Sequence, residues 1–239
     1  MADKRPVARS EKNEEADFLR QNIKQGMAPS APTRKCKYLD RIAALSKVFT
    51  PEECKRIIST GINDWEEQEA KIQRDEGKEI KQNFVDDFDY RNTTLFIPPE
   101  PDEWLFTKIL GAIMNFNNHE TGYNFNVQGL AEPPNLMRYQ AANIDKHGMP
   151  GHYDWHMDIG PGDIPSMRKI SYTLILNPDE YEGGELTFHT GRNLDEPFPG
   201  QDKIGDMIIF PSYLVHNVTH VTNGTRYAIV GWAHGNSFI

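Results

Sequence analysis

The sequence has few cysteines and no long apolar run. Only Cys36 and Cys54 occur among its 239 residues, too few for the disulfide framework of a secreted scaffold. No stretch approaches the roughly 18 consecutive apolar residues that cross a bilayer. The first residues are polar and charged and do not resemble the apolar core of a signal peptide. These absences predict a cytoplasmic protein that does not interact with membranes.

The chain also lacks an excess of positive charge. Its formal net charge of −9 at pH 7 excludes a wholly basic nucleic-acid-binding protein. The charge is uneven, since residues 1–37 carry +4 and the remainder −13. We therefore expect a basic polar arm and linker over 1–37 and one domain over 38–239. The arm is either a solvated terminus or a contact for an anionic partner, and nucleic-acid binding is considered only through it.

Two segments carry helix signals. A capping box formed by Thr50 and Glu53 predicts the start of one helix. A second helix is predicted over 102–119, where apolar residues recur at helical spacing. The densely charged stretch 64–81 is interpreted as either an exposed helix or a mobile loop. Helical support is therefore expected over 50–122.

After the second helix, the apolar pattern changes to a period of two. It predicts short strands over 136–140, 153–158, 170–176, 185–189, 207–210 and 215–232. Helices followed by short strands favour a mainly β protein with flanking helices. Its β core, expected over 134–233, would be an antiparallel sandwich or jelly roll.

One predicted strand carries His156-Met157-Asp158. Residues two apart in a strand point to the same face, so His156 and Asp158 could bind one ion. For the triplet alone a surface turn is the favoured interpretation, but His216 in a later predicted strand supplies a third candidate ligand. Two histidines and one carboxylate leave positions open on a metal, which suits non-haem Fe(II) that binds a cosubstrate and O2. A closed zinc site is disfavoured because it takes four protein ligands.

Arg226 follows His216 by ten residues and adds a second candidate binding group. Asn223-Gly224 predicts a hairpin turn between them. A two-residue turn would place His216 and Arg226 on opposite faces. A three-residue turn with Gly224 in the left-handed region would pair His220 with Arg226, with His216 on the same face roughly 13 Å away. His220 would then be a core histidine or a polar group of the site, and Arg226 could bind the far carboxylate of a metal-chelating dicarboxylate.

Three segments together resemble a known family. They are HMD at 156–158, NPDEYEGGELTF at 177–188 and GDMIIFPSYLVHNVTHVTNGTRYAIVGW at 205–232. Their order and spacing are similar to those of the Fe(II)/2-oxoglutarate dioxygenases, and within them to the prolyl 4-hydroxylase-like group that includes the bacterial PKHD-type hydroxylases. The resemblance runs from Leu136 to Trp232 and implies a double-stranded β-helix, which is a distorted, cupin-like jelly roll.

The resemblance implies a role for each candidate residue. His156, Asp158 and His216 would be the iron ligands. Arg226 would pair with the distal carboxylate of 2-oxoglutarate, and Tyr139 would contact this cosubstrate. The implied cofactor is Fe(II), with 2-oxoglutarate and O2 as cosubstrates and ascorbate as a candidate reductant. The expected reaction is hydroxylation of an unactivated C–H bond, with succinate and CO2 as coproducts.

The substrate is left open by the sequence. The resemblance favours a peptidyl residue, prolyl first, or a free amino acid, and a nucleobase or another small metabolite is the alternative. A non-catalytic jelly-roll ligand-binding module and a cupin-like oxygenase that does not use 2-oxoglutarate are rival interpretations, although neither requires Arg226. The stretch 64–92 and the loop 191–203 are expected to shape the pocket.

Alternation along the strand that carries the triplet predicts the direction in which the side chains next to His156 point. His152 shares a face with His156 and is expected at the mouth of the site. Tyr153 and Trp155 alternate with His156 and are expected to pack in the core. Residues 141–151, which precede this strand, look like an insertion relative to the family.

Overall fold

The structure of the protein, a computed structural model, describes residues 36, 38–75, 82–85, 87–189 and 197–237. The predicted basic arm, apart from Cys36, and the first part of the loop predicted over 191–203 lie outside these residues, so the anionic partner of the arm stays a prediction. Among the described residues, no helix is long and apolar enough to cross a membrane. The cytoplasmic location likewise stays a prediction.

Two helices begin where the sequence predicts them. Helix α1 spans Pro51–Asp64 and helix α2 spans Glu103–Asn118. Thr50 Oγ1 accepts a hydrogen bond from the Glu53 N–H at 3.2 Å, and the Glu53 carboxylate accepts one from the Thr50 N–H at 2.7 Å. Asp102 caps α2 by accepting hydrogen bonds from N–H groups of its first turn. Both predicted helices are confirmed.

The other main elements are β-strands. In chain order they are β1 (Ala43–Leu45), β2 (Glu66–Glu69), β3 (Ile72–Asp75), β4 (Gln82–Val85), β5 (Arg91–Asn92), β6 (Thr94–Ile97), β7 (Asn135–Gln140), β8 (His152–His156), β9 (Arg168–Ile175), β10 (Tyr181–Gly183), β11 (Leu186–Phe188), β12 (Met207–Pro211), β13 (His216–Val218) and β14 (Val221–His234). Single 3₁₀ turns at Pro165–Met167 and Pro178–Glu180 precede β9 and β10.

The region between the two helices differs from the expectation. The charged stretch 64–81 forms β2 and β3 instead of a helix or loop, while residues 76–81 lie outside the described part. Strand β2 pairs with β6, and β3 pairs with β4. These backbone pairings override the charge pattern, because a strand at a sheet edge tolerates charged side chains. The segment 50–122 is therefore mixed, with β2–β6 between its helices.

Two antiparallel sheets form the body of the fold. The larger has eight strands in the order β1-β12-β9-β14-β7-β6-β2, with β10 paired to β14. The smaller has the order β11-β13-β8-β5, and β3 and β4 form a separate pair. This architecture confirms the predicted mainly β jelly roll with flanking helices.

Alternation along the larger sheet produces a hydrophobic cluster on each of its faces. Leu136 of β7 belongs to the cluster that contains Ile109 of α2. The next residue, Met137, belongs to the cluster that contains Phe188 of the smaller sheet. The helices therefore cover the outer face of the larger sheet, and the inner face is left for the interior of the sandwich.

The hairpin predicted at Asn223-Gly224 does not form. Strand β14 runs through both residues, which pair with Glu182 and Tyr181 of β10. Gly224 has the expected left-handed φ, +72°. However, a Cβ at this position would lie 2.1 Å from the backbone oxygen of Glu180. The Asn-Gly signal therefore marks a close approach of β10, a strand some forty residues earlier, and not a turn.

The cap of α1 gives a testable consequence for stability. Replacing Thr50 by Ala should lower the free energy of unfolding by about 1 kcal/mol, because the Glu53 N–H loses its acceptor. Thr50→Ser keeps the hydroxyl and should stay within about 0.5 kcal/mol of the wild type. Urea denaturation measures both values, and an equal loss in the two variants would show that the hydroxyl does not contribute.

Candidate metal centre

His156, Asp158 and His216 converge in the interior of the sandwich. His156 ends β8, His216 begins β13, and their backbones are paired. One ligand atom from each residue lies within 4.8 Å of the other two. The Asp158 carboxylate oxygens are 3.7 Å from His156 Nε2 and 3.5 Å from His216 Nε2. The three side chains predicted from the sequence therefore form one cluster that could hold a metal ion.

Asp158 reaches this cluster from a bend and not from a strand. Strand β8 ends at His156, two residues earlier than the pattern predicts. The Asp158 N–H donates to the backbone oxygen of Ser212 at 3.0 Å, and the Ile159 N–H donates to the same oxygen at 3.1 Å. The carboxylate is therefore positioned by contacts to the end of β12 and not by strand alternation.

Backbone carbonyl groups orient both imidazole rings. His156 Nδ1 lies 2.7 Å from the Asp154 oxygen, and His216 Nδ1 lies 2.9 Å from the Leu214 oxygen. Because a carbonyl oxygen only accepts, each Nδ1 carries the proton. Each Nε2 then presents its lone pair to the cluster, which is the form of imidazole that binds a metal.

Burial and neighbouring charges set the ionisation of the cluster. Burial lowers the pKa of His156 to about 3, and the neighbouring imidazole of His216 acts in the same direction. Burial acts to raise the pKa of Asp158, but its electrostatic interactions with the two imidazoles and a hydrogen bond to the Ser171 side chain outweigh it and hold this pKa below its usual value. His156 is therefore neutral and Asp158 ionised near pH 7, as metal binding requires.

A bulge in β8 turns Tyr153 toward the cluster. His156 pairs with His216 while Tyr153 pairs with Val218, so three steps along β8 match two along β13. The extra residue reverses the alternation, and the Tyr153 ring stacks on the His156 ring with centroids 3.5 Å apart. The expectation that Tyr153 faces away from the cluster is therefore wrong, although its side chain does pack against a hydrophobic core cluster as predicted. Trp155 belongs to neither core cluster among the described residues.

A cavity of about 870 Å³ lies beside the cluster. Lys71, Tyr90 and Arg91 line one side, so the stretch 64–92 shapes the pocket as predicted. The opposite rim includes Met157 and Ile164, with 53% and 43% of their surfaces exposed. Apolar side chains this exposed beside a cavity favour a ligand with apolar surface.

Arg226 is buried behind Tyr139. The two residues pair across β14 and β7, and the guanidinium carbon lies 5.1 Å from the centroid of the Tyr139 ring, which lines the cavity. Arg226 is 3% exposed, and within the described structure its Nε and Nη1 have no hydrogen-bond partner. Buried donors of this kind require an acceptor, and a carboxylate matches the geometry of a guanidinium.

Arg226 and His216 do not share a ladder. Arg226 lies in the larger sheet, and His216 lies in the smaller one. The hairpin argument therefore selects Arg226 for an incorrect reason, because it assumes that both residues follow one face of one pair of strands.

His152 and His220 do not lie where the sequence predicts them. His152 is buried, and its Nδ1 and Nε2 lie 2.9 Å and 3.0 Å from the backbone oxygens of Pro150 and Asp89. It therefore connects β8 to the segment before β5 and is absent from the described cavity lining. His220 is exposed, with its ring 4.4 Å from that of His152. Burial and the charge of His152 lower the pKa of His220.

The segment 141–151 contacts the strands that support the cavity wall. Lys146 forms an ion pair with Glu69 of β2, and His147 Nε2 lies 3.5 Å from the same carboxylate. The Asn92 side-chain amide donates to the Met149 oxygen at 2.9 Å. The predicted insertion therefore braces β2 and β5 beside the cavity.

Fold and cluster together define a class: a jelly-roll protein whose sheets enclose two histidines and one carboxylate suited to a divalent metal. Residues 139–234 match the 2OG-Fe(II) oxygenase superfamily. The match places the similarity within the part of the chain that carries the cluster.

Individual proteins agree with this placement. A PKHD-type hydroxylase of Synechococcus sp. (strain CC9311) is 36% identical over 108 residues, which cover 44% of this chain and 46% of the relative. The chain thus spans less than half the length of the curated relatives it matches. A prolyl-4-hydroxylase from Pseudomonas putida has a TM-score of 0.56 at 14% identity, over 83% of this chain and 94% of that one.

A second solved structure has the same fold. It is a prolyl hydroxylase from Trichoplax adhaerens in complex with a hypoxia inducible factor oxygen degradation domain peptide fragment. Its TM-score is 0.56 at 13% identity, over 95% of this chain and 94% of that one. At these identities, the two structural likenesses establish the fold alone.

The low pKa of His156 predicts a pH response of the metal-free protein. Because the unfolded chain binds a proton near pH 6.5 and the folded chain does so near 3, stability should fall as the pH drops through this window. In an NMR titration, the His156 ring signals should stay constant from pH 8 to 5. The same signals in urea should titrate near 6.5. A folded-state midpoint above 6 would contradict the assigned burial.

Proposed function

We propose that this protein is an Fe(II)- and 2-oxoglutarate-dependent dioxygenase that hydroxylates an unactivated C–H bond, with succinate and CO2 as coproducts. The proposed substrate is a peptidyl residue, prolyl first, or a free amino acid. The observation that carries the proposal is the pairing of two features in one sandwich. These features are the cluster of His156, Asp158 and His216, and the buried guanidinium of Arg226, whose donors lack an acceptor among the described residues.

The cluster fits Fe(II). His156 Nε2, His216 Nε2 and a carboxylate oxygen of Asp158 would hold the metal, and three protein donors leave positions for other ligands. When bound, the iron supplies the O2-dependent oxidation of the C–H bond. The chain contributes fixed donors and a partly enclosed cavity, because the carbonyl contacts at each Nδ1 prevent the rings from rotating away.

Arg226 fits the distal carboxylate of 2-oxoglutarate. A carboxylate would accept two parallel N–H bonds from one edge of its guanidinium, from Nε with Nη2 or from Nη1 with Nη2, and would so satisfy one of the two unpaired donors. Tyr139 covers the guanidinium and lines the cavity, so its ring would contact the same cosubstrate. Gly184 leaves the space for this side chain, since a Cβ there would lie 2.8 Å from Arg226 Cδ. Holding one end of the cosubstrate orients the other end.

The cavity supports an amino-acid side chain as the substrate group. Tyr90, Tyr153 and Trp232 contribute aromatic surface, and Met157 and Ile164 add apolar surface at the rim. An apolar pyrrolidine ring packs well against such walls. The names of the relatives, and the peptide held by the Trichoplax protein, add support for a peptide. Ascorbate is proposed as the reductant that keeps the iron as Fe(II).

The metal assignment predicts a spectroscopic signal. Anaerobic addition of Fe(II) and 2-oxoglutarate to the wild type should give a weak visible charge-transfer band. Asp158→Ala should bind Fe(II) at least about tenfold more weakly, because it loses an ionised ligand. Anaerobic titration measures both effects. A wild type without the band, together with equal iron affinity in Asp158→Ala, would show that the site is not an iron centre.

The class of substrate is then determined by measuring succinate release with different compounds. Proline-containing peptides, their alanine counterparts, free amino acids and nucleotides should be compared, each with and without ascorbate. The proposal expects the proline peptides to increase succinate release above the level without substrate. Stimulation by nucleotides alone would favour the nucleobase alternative. A non-catalytic ligand-binding module would release no succinate with any compound.

Two glycines provide a matched test of the Arg226 assignment. Gly184→Ala should raise the KM for 2-oxoglutarate about tenfold, because the new Cβ, which would lie 2.8 Å from Arg226 Cδ and 2.9 Å from Val221 Cγ2, displaces the Arg226 side chain and weakens a charge-assisted contact. Gly200 also has a positive φ, +86°, but among the described residues no atom lies within 4 Å of the position that a Cβ would take there.

Gly200→Ala is the control, since it carries a similar backbone strain without any contact to Arg226. It should leave the KM unchanged, and both variants should retain the Fe(II) affinity of the wild type. An unchanged KM in a folded Gly184→Ala protein would contradict the role of Arg226.

A further inference from the structure

The peptide of Asp158 is held on both sides. Asp158 lies beyond the end of β8, so no strand ladder fixes its backbone. Its N–H donates to the Ser212 oxygen at 3.0 Å, and its carbonyl oxygen accepts a hydrogen bond from Arg168 Nη1 at 2.9 Å. These two contacts, one of them from a charged side chain, fix the peptide, and the carboxylate that projects from it also has a hydrogen bond to the Ser171 side chain.

Arg168 is itself fixed in place. Its Nε and Nη2 donate to the two carboxylate oxygens of Glu132 at 2.7 Å and 2.5 Å. The guanidinium carbon lies 3.5 Å from the centroid of the Trp232 ring. Only 16% of the side chain is exposed. A planar guanidinium held by a bidentate carboxylate and an aromatic ring has little freedom to move.

Glu132 is held in turn by His234. His234 Nε2 lies 2.9 Å from Glu132 Oε2, and His234 Nδ1 accepts a hydrogen bond from the Ala131 N–H at 3.0 Å. Nε2 therefore carries the proton and donates it to Glu132. Burial acts to raise the pKa of Glu132, but the hydrogen bonds from His234 and Arg168 outweigh it and lower this pKa. A continuous polar chain thus runs from His234 to the Asp158 carbonyl.

Arg168 also lines the cavity, so binding an anionic substrate is the competing interpretation. Each of its three nitrogens already donates within the protein, and Glu132 offsets its charge. Arg226 differs, because two of its nitrogens have no acceptor in the described structure. The contacts therefore favour a role for Arg168 within the protein.

We propose that Arg168 is a positioning residue for the metal centre. It fixes the backbone of Asp158, and Glu132 and His234 fix Arg168, so that the carboxylate faces the two histidines before metal arrives. The proposal rests on the metal site proposed above. It predicts that the loss of Arg168 weakens metal binding even though this side chain does not touch the metal.

The test is an anaerobic Fe(II) titration by calorimetry on the full chain. Arg168→Met keeps an apolar side chain over Trp232 but removes the hydrogen bonds, and it should raise the Kd for Fe(II) by about 10- to 100-fold. Glu132→Gln keeps the shape of the carboxylate but removes its charge, and it should raise the Kd by a smaller factor. Because Glu132 acts through Arg168, the double variant should be no worse than Arg168→Met alone.

Arg138→Met is the matched control. Arg138 also pairs with a glutamate, Glu67, at 2.8 Å and lies 5.0 Å from the ring of Phe96, with 19% of its side chain exposed. It is absent from the described cavity lining. Thermal unfolding of the metal-free proteins reports stability separately. Arg138→Met should lose stability to a similar degree but keep the Fe(II) Kd within about threefold of the wild type.

The outcomes separate this proposal from the one on which it rests. A wild type that does not bind Fe(II) overturns both. A wild type that binds Fe(II), with equal affinity in folded Arg168→Met or Glu132→Gln, overturns only the positioning role. Equal weakening in Arg138→Met also overturns it, because the effect would then follow general stability. If Arg168→Met does not fold, Glu132→Gln and Arg168→Lys decide the question by the same Kd comparison.

Discussion

The pairing of His156 with His216 is the interaction on which the rest of the site depends. It joins β8 to β13 and brings together two imidazoles that are sixty residues apart in the chain. Desolvation of these rings and of the Asp158 carboxylate opposes folding, and the surrounding apolar clusters have to offset it. The backbone contacts at each Nδ1 reduce that cost, and they also leave the Nε2 atoms turned toward one another.

The larger sheet carries Arg226, the other proposed part of the site, and it can do so because its two faces are covered differently. Helices cover its outer face, so its inner face can hold polar groups such as Arg226 without exposing a second apolar surface to water. The guanidinium is accommodated by the absence of a side chain at Gly184 and by the ring of Tyr139. A stability-optimised core would satisfy or replace such a group, whereas the proposed function supplies an acceptor for it in the carboxylate of 2-oxoglutarate.

The sequence predicts features that depend on local periodicity or on neighbouring residues. The cap at Thr50, the helical spacing of α2 and the alternation of β7 follow from such patterns. The cluster is predicted by residue types and by the family resemblance, since Asp158 lies in a bend and His216 is sixty residues from His156. The sequence does not predict features that depend on backbone pairing between distant segments or on one extra residue in a strand. The bulge that turns Tyr153 inward and the pairing of β10 with β14 leave no mark in the periodicity. The insertion at 141–151 is visible in the spacing, but its contact with Glu69 is not.

Arg226, which is buried, and Arg168, which is half-buried, show how hydrogen bonding distinguishes a proposed binding role from a proposed positioning role. Charge and proximity to the cavity would assign Arg168 and Arg226 the same role. Arg168 has an acceptor for each nitrogen, so a ligand would have to compete with Glu132 and with the Asp158 carbonyl. Arg226 has donors that are unpaired among the described residues, so a carboxylate ligand would remove a cost that the folded protein already carries. Under the proposed function, the site is organised before any ligand arrives: the arginine with all three nitrogens bonded holds the proposed metal ligand, and the arginine with unpaired donors lies behind Tyr139.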